Sequence, residues 1–297
     1  MNLPDSVLLI LGMHRSGTSF LSECCGLLGY DIPQDTGGPA EDNPRGHFEP
    51  QAVVRLNDTL LEEGGAVWDR IAPPVLPEPD AETFARLDEA VRESFGSARR
   101  VVLKDPRLSL TLPLWRAWTA ARDIRSAVLI ALRDPREVAH SLARRNGMMP
   151  DFAMLSWVAH TLGAIDGTHG LPRAIVVFPD WMRDPGTTLR RIAALDGQIV
   201  VENVQEHVAG IFIGEAVHGR GDTIASDSLI EELALDLFIL LRDAAQCDEM
   251  PDEALLGPFR QRFAVLSAAA RGVEESHAAC HLATRAKIAE LTKRYEQ

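Results

Sequence analysis

Apolar residues run unbroken from Val7 to Leu11 and stop at Gly12, and apolar runs with a polar residue at one or both ends recur at Arg100–Lys104, Ser126–Leu132 and Arg173–Phe178. Runs this short, bounded by turn residues and without polar alternation, predict strands buried on both faces of a parallel sheet. Between them the apolar positions take helical spacing: Phe20–Leu28, Gln51–Glu63, Ala81–Phe95, Leu108–Ala121, a segment opening at Pro135, Phe152–Ile165 and Thr187–Leu195. Strand and helix alternate, which predicts an α/β fold with a parallel sheet and helices on both faces. From 226 onward the pattern is helical only. Leu229–Leu241 is too apolar for solvent and should pack on the sheet or on a partner. Ile288, Leu291 and Tyr295 follow at spacings of three and four without sustained heptads. The expected organisation is an α/β unit over 1–224 and a helical C-terminal extension over 225–297, a candidate dimer contact.

The first strand passes directly into Gly12-Met13-His14-Arg15-Ser16-Gly17-Thr18-Ser19 and then a helix. Glycines at such a turn let successive N–H groups converge, and the helix N-terminus adds partial positive charge, so an anion belongs there. Gly12, Gly17 and Ser19 match the nucleotide-binding loop Gly-x-x-x-x-Gly-Lys-[Ser/Thr], but Thr18 stands where that loop has its lysine. The expected fold is therefore P-loop-type and three-layered, with an ATP or GTP kinase site disfavoured. The cation inside the loop is Arg15.

Composition narrows the partners. The 297 residues can bury a sizeable core, and the formal charge of −13 argues against nucleic acid or an anionic membrane surface. An anionic cofactor must then be held by a few local arginines. The sequence has no apolar stretch long enough to span a bilayer and no basic signal segment, so the cytoplasm is the expected compartment. Cys24, Cys25, Cys247 and Cys280 lack metal-ligand or disulfide-framework spacing, and no metal site is expected.

Three further stretches carry candidate chemistry. Asp31 to Pro50 is rich in turn formers and contains Asn43-Pro44-Arg45-Gly46-His47-Phe48-Glu49. The second strand ends in Lys104-Asp105-Pro106-Arg107, at the strand end where open parallel sheets place ligands. A salt bridge between Lys104 and Asp105 is the plain alternative there. The third strand ends in Arg133, and Ser141 lies eight positions on, along the following helix.

His14-Arg15-Ser16-Gly17-Thr18-Ser19, Asn43 to Glu49, Lys104 to Arg107, Arg133 with Ser141, and the strand and helix around Asp184-Pro185 together resemble the sulfotransferases that use 3′-phosphoadenosine 5′-phosphosulfate (PAPS), in their bacterial branch. The resemblance implies that His14, Arg15, Ser16, Gly17, Thr18 and Ser19 cradle the 5′-phosphosulfate, and that Arg133 and Ser141 grip the 3′-phosphate. A late basic loop, with Arg220 or His218, is implied to close over it. Sulfuryl transfer needs a base for the acceptor hydroxyl: Glu49 is preferred, His47 is second and His14 third. Arg15 would neutralise the leaving group, and Lys104 would assist at the sulfuryl oxygens. The implied acceptor is a hydroxyl of a carbohydrate, lipid or other small molecule. A phosphate-loop kinase and a non-catalytic nucleotide-binding scaffold are the competing readings.

Overall fold

A computed structural model describes residues 2–38, 46–69, 71, 74–195, 206 and 222–272. The four predicted strands are present as β1 (Ser6–Leu11), β2 (Arg100–Lys104), β3 (Arg125–Leu132) and β4 (Arg173–Val177). They form a sheet in the order β2-β1-β3-β4 with all pairings parallel. Ile10 lies opposite Lys104 on one side and Leu129 on the other, so the strands carrying the candidate residues end together.

Alternation within the strands feeds two cores. Val7, Leu9 and Leu11 of β1, with Val101, Leu103, Val128, Ile130 and Leu132, face the larger apolar cluster. Leu8 and Ile10, with Val102, Leu129 and Val176, face the smaller one. That is why β1 reads as a continuous apolar run. The smaller cluster is closed by α1 (Thr18–Leu27) and α8 (Pro185–Leu195), the larger by α2 (Gln51–Glu63), α3 (Ala81–Phe95), α4 (Leu108–Ala121), α5 (Pro135–Asn146) and α6 (Pro150–Gly167). The helix α9 (Leu229–Gln246) adds Leu233, Leu237 and Leu241 to the larger cluster, packed on the same core as the sheet. Residues 273–297, with the dimer contact expected of them, lie outside the described residues.

Two connections depart from the sequence reading. Residues after β4 form a short helix, α7 (Phe178–Arg183), before α8 begins. Asp184 separates the two with φ −139° and ψ 80°, because Pro185 disfavours helical backbone in the residue before it. The start of the long loop after α1 is tied down: Asp31 pairs along β2 through Asp31 N–H to the Arg100 carbonyl (2.7 Å) and Val102 N–H to the Asp31 carbonyl (3.1 Å).

The turn after β1 depends on glycine. Gly12 has φ +125°, and a Cβ there would lie 2.5 Å from the Ala131 carbonyl oxygen. Gly12→Ala is expected to lower unfolding stability by roughly 2 to 3 kcal/mol, from left-handed backbone plus a backbone clash. Urea unfolding beside Gly257→Ala, where a Cβ meets nothing within 4 Å, checks this; equal midpoints for the two variants contradict it.

Candidate functional site

β1 is central in the sheet, and the chain leaves it for α1 through a loop in which Gly12, Arg15 and Gly17 all have positive φ. Gly17 is the N-cap of α1, gives it no side-chain cap, and the first turn carries no acidic residue. The backbone donors there are left for an anion. Phe178 packs against Gly17, where a Cβ would lie 2.6 Å from its ring. Ser16 Oγ is buried with no hydrogen-bond partner among the described residues. These features fit a bound phosphate.

The structure brings Arg15, Arg133 and Ser141 together. Arg15 Nε donates to Ser141 Oγ at 2.8 Å. Arg133, buried at the end of β3, donates through Nη1 to the Arg15 carbonyl (2.9 Å) and through Nε to Glu137 (2.7 Å). Its guanidinium also lies over the Phe178 ring, 4.8 Å from the centroid. The eight-residue interval thus places the two predicted 3′-phosphate residues on either side of the loop arginine.

Lys104 is 2% exposed, and its ammonium makes three contacts: Ser19 Oγ at 3.1 Å, the His47 carbonyl at 3.0 Å and Glu49 Oε1 at 2.6 Å. The expected alternative of a Lys104–Asp105 salt bridge is therefore replaced. Lys104 pairs with Glu49, while Asp105 takes Arg107 Nη1 at 2.9 Å. Successive strand residues point to opposite faces, which carries the two side chains to different partners. Phe48, at φ +52°, turns the chain between His47 and Glu49 so that both reach the same ammonium. Burial raises the Glu49 carboxyl, but Lys104, Arg107 and His47 more than offset that and leave it below the ordinary 4.5.

No family model and no curated relative matches this chain. Solved structures that it resembles include sulfotransferases. The sulfotransferase domain of the Synechococcus PCC 7002 olefin synthase is 16% identical over 80% of this chain and 96% of its own, at TM-score 0.49. Sulfotransferase STF9 from Mycobacterium avium is 14% identical over 84% of this chain and 78% of its own, at TM-score 0.47. Retinol dehydratase, solved with androsterone and the inactive cofactor PAP, is 17% identical over 86% of this chain and 84% of its own, at TM-score 0.40. At these identities and TM-scores the chemistry has to be read from the residues of this chain.

Arg45, His218 and Arg220 lie outside the described residues. Among the described residues no helix is long and apolar enough to cross a membrane, and no group of three His, Cys, Asp or Glu side chains could hold a metal ion. The sequence reading missed the network that anchors the second strand end. Asn57 of α2 donates to Asp105 (2.8 Å) and accepts from Thr111 and Trp115 (2.9 Å each), and Arg107 bonds Asp58 as well as Asp105. The available signal was a polar residue inside an amphipathic helix.

It also missed His160, a buried imidazole in the apolar helix α6. Burial drives its pKa down to about 4, and burial, followed by Arg107, His160, Lys104 and Arg145, holds His14 well below 6.5. The unfolded chain therefore takes up protons between pH 6.5 and about 4 that the folded chain refuses. From the histidines, stability is expected to be flat between pH 6.5 and about 9, above which the buried Cys25 thiol, pushed up to about 12, begins to cost stability, and to fall by about 3 kcal/mol from His160 alone as the pH drops to about 4. Glu49 adds loss of the same sign below 4.5. Urea unfolding as a function of pH measures this slope; constant stability between pH 6.5 and 4 contradicts it.

Proposed function

We propose that this protein is a PAPS-dependent sulfotransferase that moves a sulfuryl group to a hydroxyl of a carbohydrate, lipid or other small-molecule acceptor. The observation that carries this reading is the Lys104 ammonium, 3.1 Å from Ser19 Oγ and 2.6 Å from Glu49. In nucleotide-hydrolysing phosphate loops the hydroxyl at the Ser19 position binds magnesium, beside a loop lysine. Here Thr18 replaces that lysine, and a buried ammonium from the neighbouring strand stands against the hydroxyl. A fixed organic cation paired with a carboxylate suits transfer to an alcohol.

PAPS, when bound, supplies a sulfuryl group whose bond to the 5′-phosphate oxygen breaks, leaving 3′,5′-adenosine bisphosphate (PAP). The N–H groups of Gly17, Thr18 and Ser19, with the Ser16 hydroxyl, receive the 5′-phosphate. Arg15 neutralises the charge that develops on the leaving oxygen, the electrostatic contribution that is commonly the largest in such reactions. Lys104 holds the sulfuryl oxygens. Glu49 accepts the acceptor's hydroxyl proton as the new oxygen–sulfur bond forms. Arg133 and Ser141 bind the 3′-phosphate, Arg through its planar fork and Ser as a neutral donor. His47, whose carbonyl already contacts Lys104, is the second candidate base.

The test is PAP release from PAPS with a panel of sugar, phenol and lipid alcohols, in the presence of a metal chelator. The expected result is release that depends on an acceptor and is insensitive to the chelator. ATP consumption that requires magnesium, with no turnover of PAPS, overturns the reading in favour of a kinase.

A further inference from the structure

His160 Nδ1 lies 2.8 Å from the Ser156 carbonyl oxygen, one helical turn back. A carbonyl only accepts, so Nδ1 carries the proton and Nε2 is left with a bare lone pair. That Nε2 is buried and has no hydrogen-bond partner among the described residues, and the same is true of His14 Nε2 and Ser156 Oγ. The residues themselves are 1%, 7% and 0% exposed. An unsatisfied buried polar atom costs roughly 1 to 3 kcal/mol, so such a group in a native structure calls for a partner.

The packing places these groups beside the loop. A Cβ at Gly163 would lie 2.4 Å from the Ser109 carbonyl oxygen, so α6 closes tightly on the first turn of α4. Ser109 Oγ in turn accepts from Gly12 N–H at 3.0 Å. His160, one turn before Gly163, is thereby brought toward His14, and each lies within electrostatic range of Arg107. Arg107 is committed to Asp58 and Asp105. His14 packs against Trp68, with ring centroids 4.3 Å apart and the planes tilted by 51°.

We propose that His160 Nε2 and His14 Nε2 line the acceptor end of the site and bind a second hydroxyl of a neutral, hydroxyl-rich acceptor. A hydroxyl donates to the bare nitrogen of His160 and can both accept and donate at His14, whichever tautomer His14 holds. An anion finds a lone pair at His160 where it needs a donor. An ammonium meets the positive field of Arg107, Lys104 and Arg145, the cations that act on His14. The acceptor then carries at least two hydroxyls, one delivered to Glu49 and one held by the histidine pair. This inference rests on the sulfotransferase reading for the identity of the reacting hydroxyl, and on the packing alone for the hydroxyl site.

The test uses the full-length chain labelled with ¹⁵N-histidine, with and without PAP. Its probes are glycerol as the neutral polyol, 1,2-dimethoxyethane as a probe with no O–H, and ethylamine as a cation. The expected result is a saturable shift of the His160 Nε2 resonance with glycerol alone. In His160→Leu, which removes an unpaired acceptor, unfolding stability at pH 7.5 is expected to be equal or higher, and glycerol binding read at His14 to weaken at least tenfold. A His160 resonance indifferent to glycerol, or a His160→Leu variant destabilised at pH 7.5, overturns the proposal and makes His160 a core histidine satisfied by fixed water. Failure to bind PAP, with the glycerol shift present, contradicts the cofactor reading and leaves the hydroxyl site standing.

Discussion

Lys104→Met is expected to lower sulfuryl transfer by about two to three orders of magnitude and to destabilise the fold by roughly 3 kcal/mol or more. Two separate effects produce this. Methionine keeps most of the volume but removes the cation from Ser19 Oγ, where the proposed transfer needs charge neutralised. It also strands the Glu49 carboxylate, whose side chain is 12% exposed and whose partner at 2.6 Å is lost. Removing one member of a buried pair leaves an uncompensated charge, which costs far more than the pair contributes. The double variant Lys104→Met, Glu49→Gln should recover most of the stability and none of the activity. Denaturant unfolding and PAP release from PAPS read the two effects separately. A single variant as stable and as active as the parent removes Lys104 from the mechanism.

Glu49→Gln is expected to reduce turnover by about 10²- to 10⁴-fold while leaving PAP affinity within a few-fold of the parent. Glutamine still accepts a hydrogen bond from Lys104 but cannot take the acceptor's proton. The pH profile of kcat/KM separates the two candidate bases. With Glu49 as base, its carboxyl already held below 4.5 by Lys104, Arg107 and His47 against the opposing effect of burial, the acid limb of the free enzyme falls below pH 4.5. Activity that keeps its pH profile in Glu49→Gln and is lost in His47→Gln assigns the proton transfer to His47.

The fold was legible in the sequence because each strand is a short apolar run, and most helices between them, Gln51–Glu63 and Ala81–Phe95 above all, carry one apolar face. Gly12 and Gly17 announced the loop, since only glycine accepts φ +125° under the Ala131 carbonyl or a ring packed on Gly17 as Phe178 is. The interval from Arg133 to Ser141 announced a second cluster near the loop. Partner choice among the charges was not legible: Lys104, Asp105 and Arg107 lie within four positions, yet Lys104 turns away from its neighbour while Asp105 pairs with Arg107. Lys104 reaches Glu49, 55 residues away, and Arg107 reaches Asp58, 49 away. His160 was hidden for a different reason. A lone histidine in an apolar helix has the pattern of a core residue, and its unpaired nitrogen exists only once α6 is seated against α4.

The loop at Arg15 is expected to bind a 3′-phosphorylated nucleotide without magnesium. Calorimetric titration of PAP against AMP and ATP, in the presence of a metal chelator, measures this directly. The predicted result is binding that requires the 3′-phosphate and weakens at least tenfold in Arg133→Ala, with a smaller loss in Ser141→Ala, because Arg carries the charge and Ser only a neutral hydrogen bond. Equal affinity for PAP and AMP, or binding of ATP restored by magnesium and preferred over PAP, contradicts the sulfotransferase assignment.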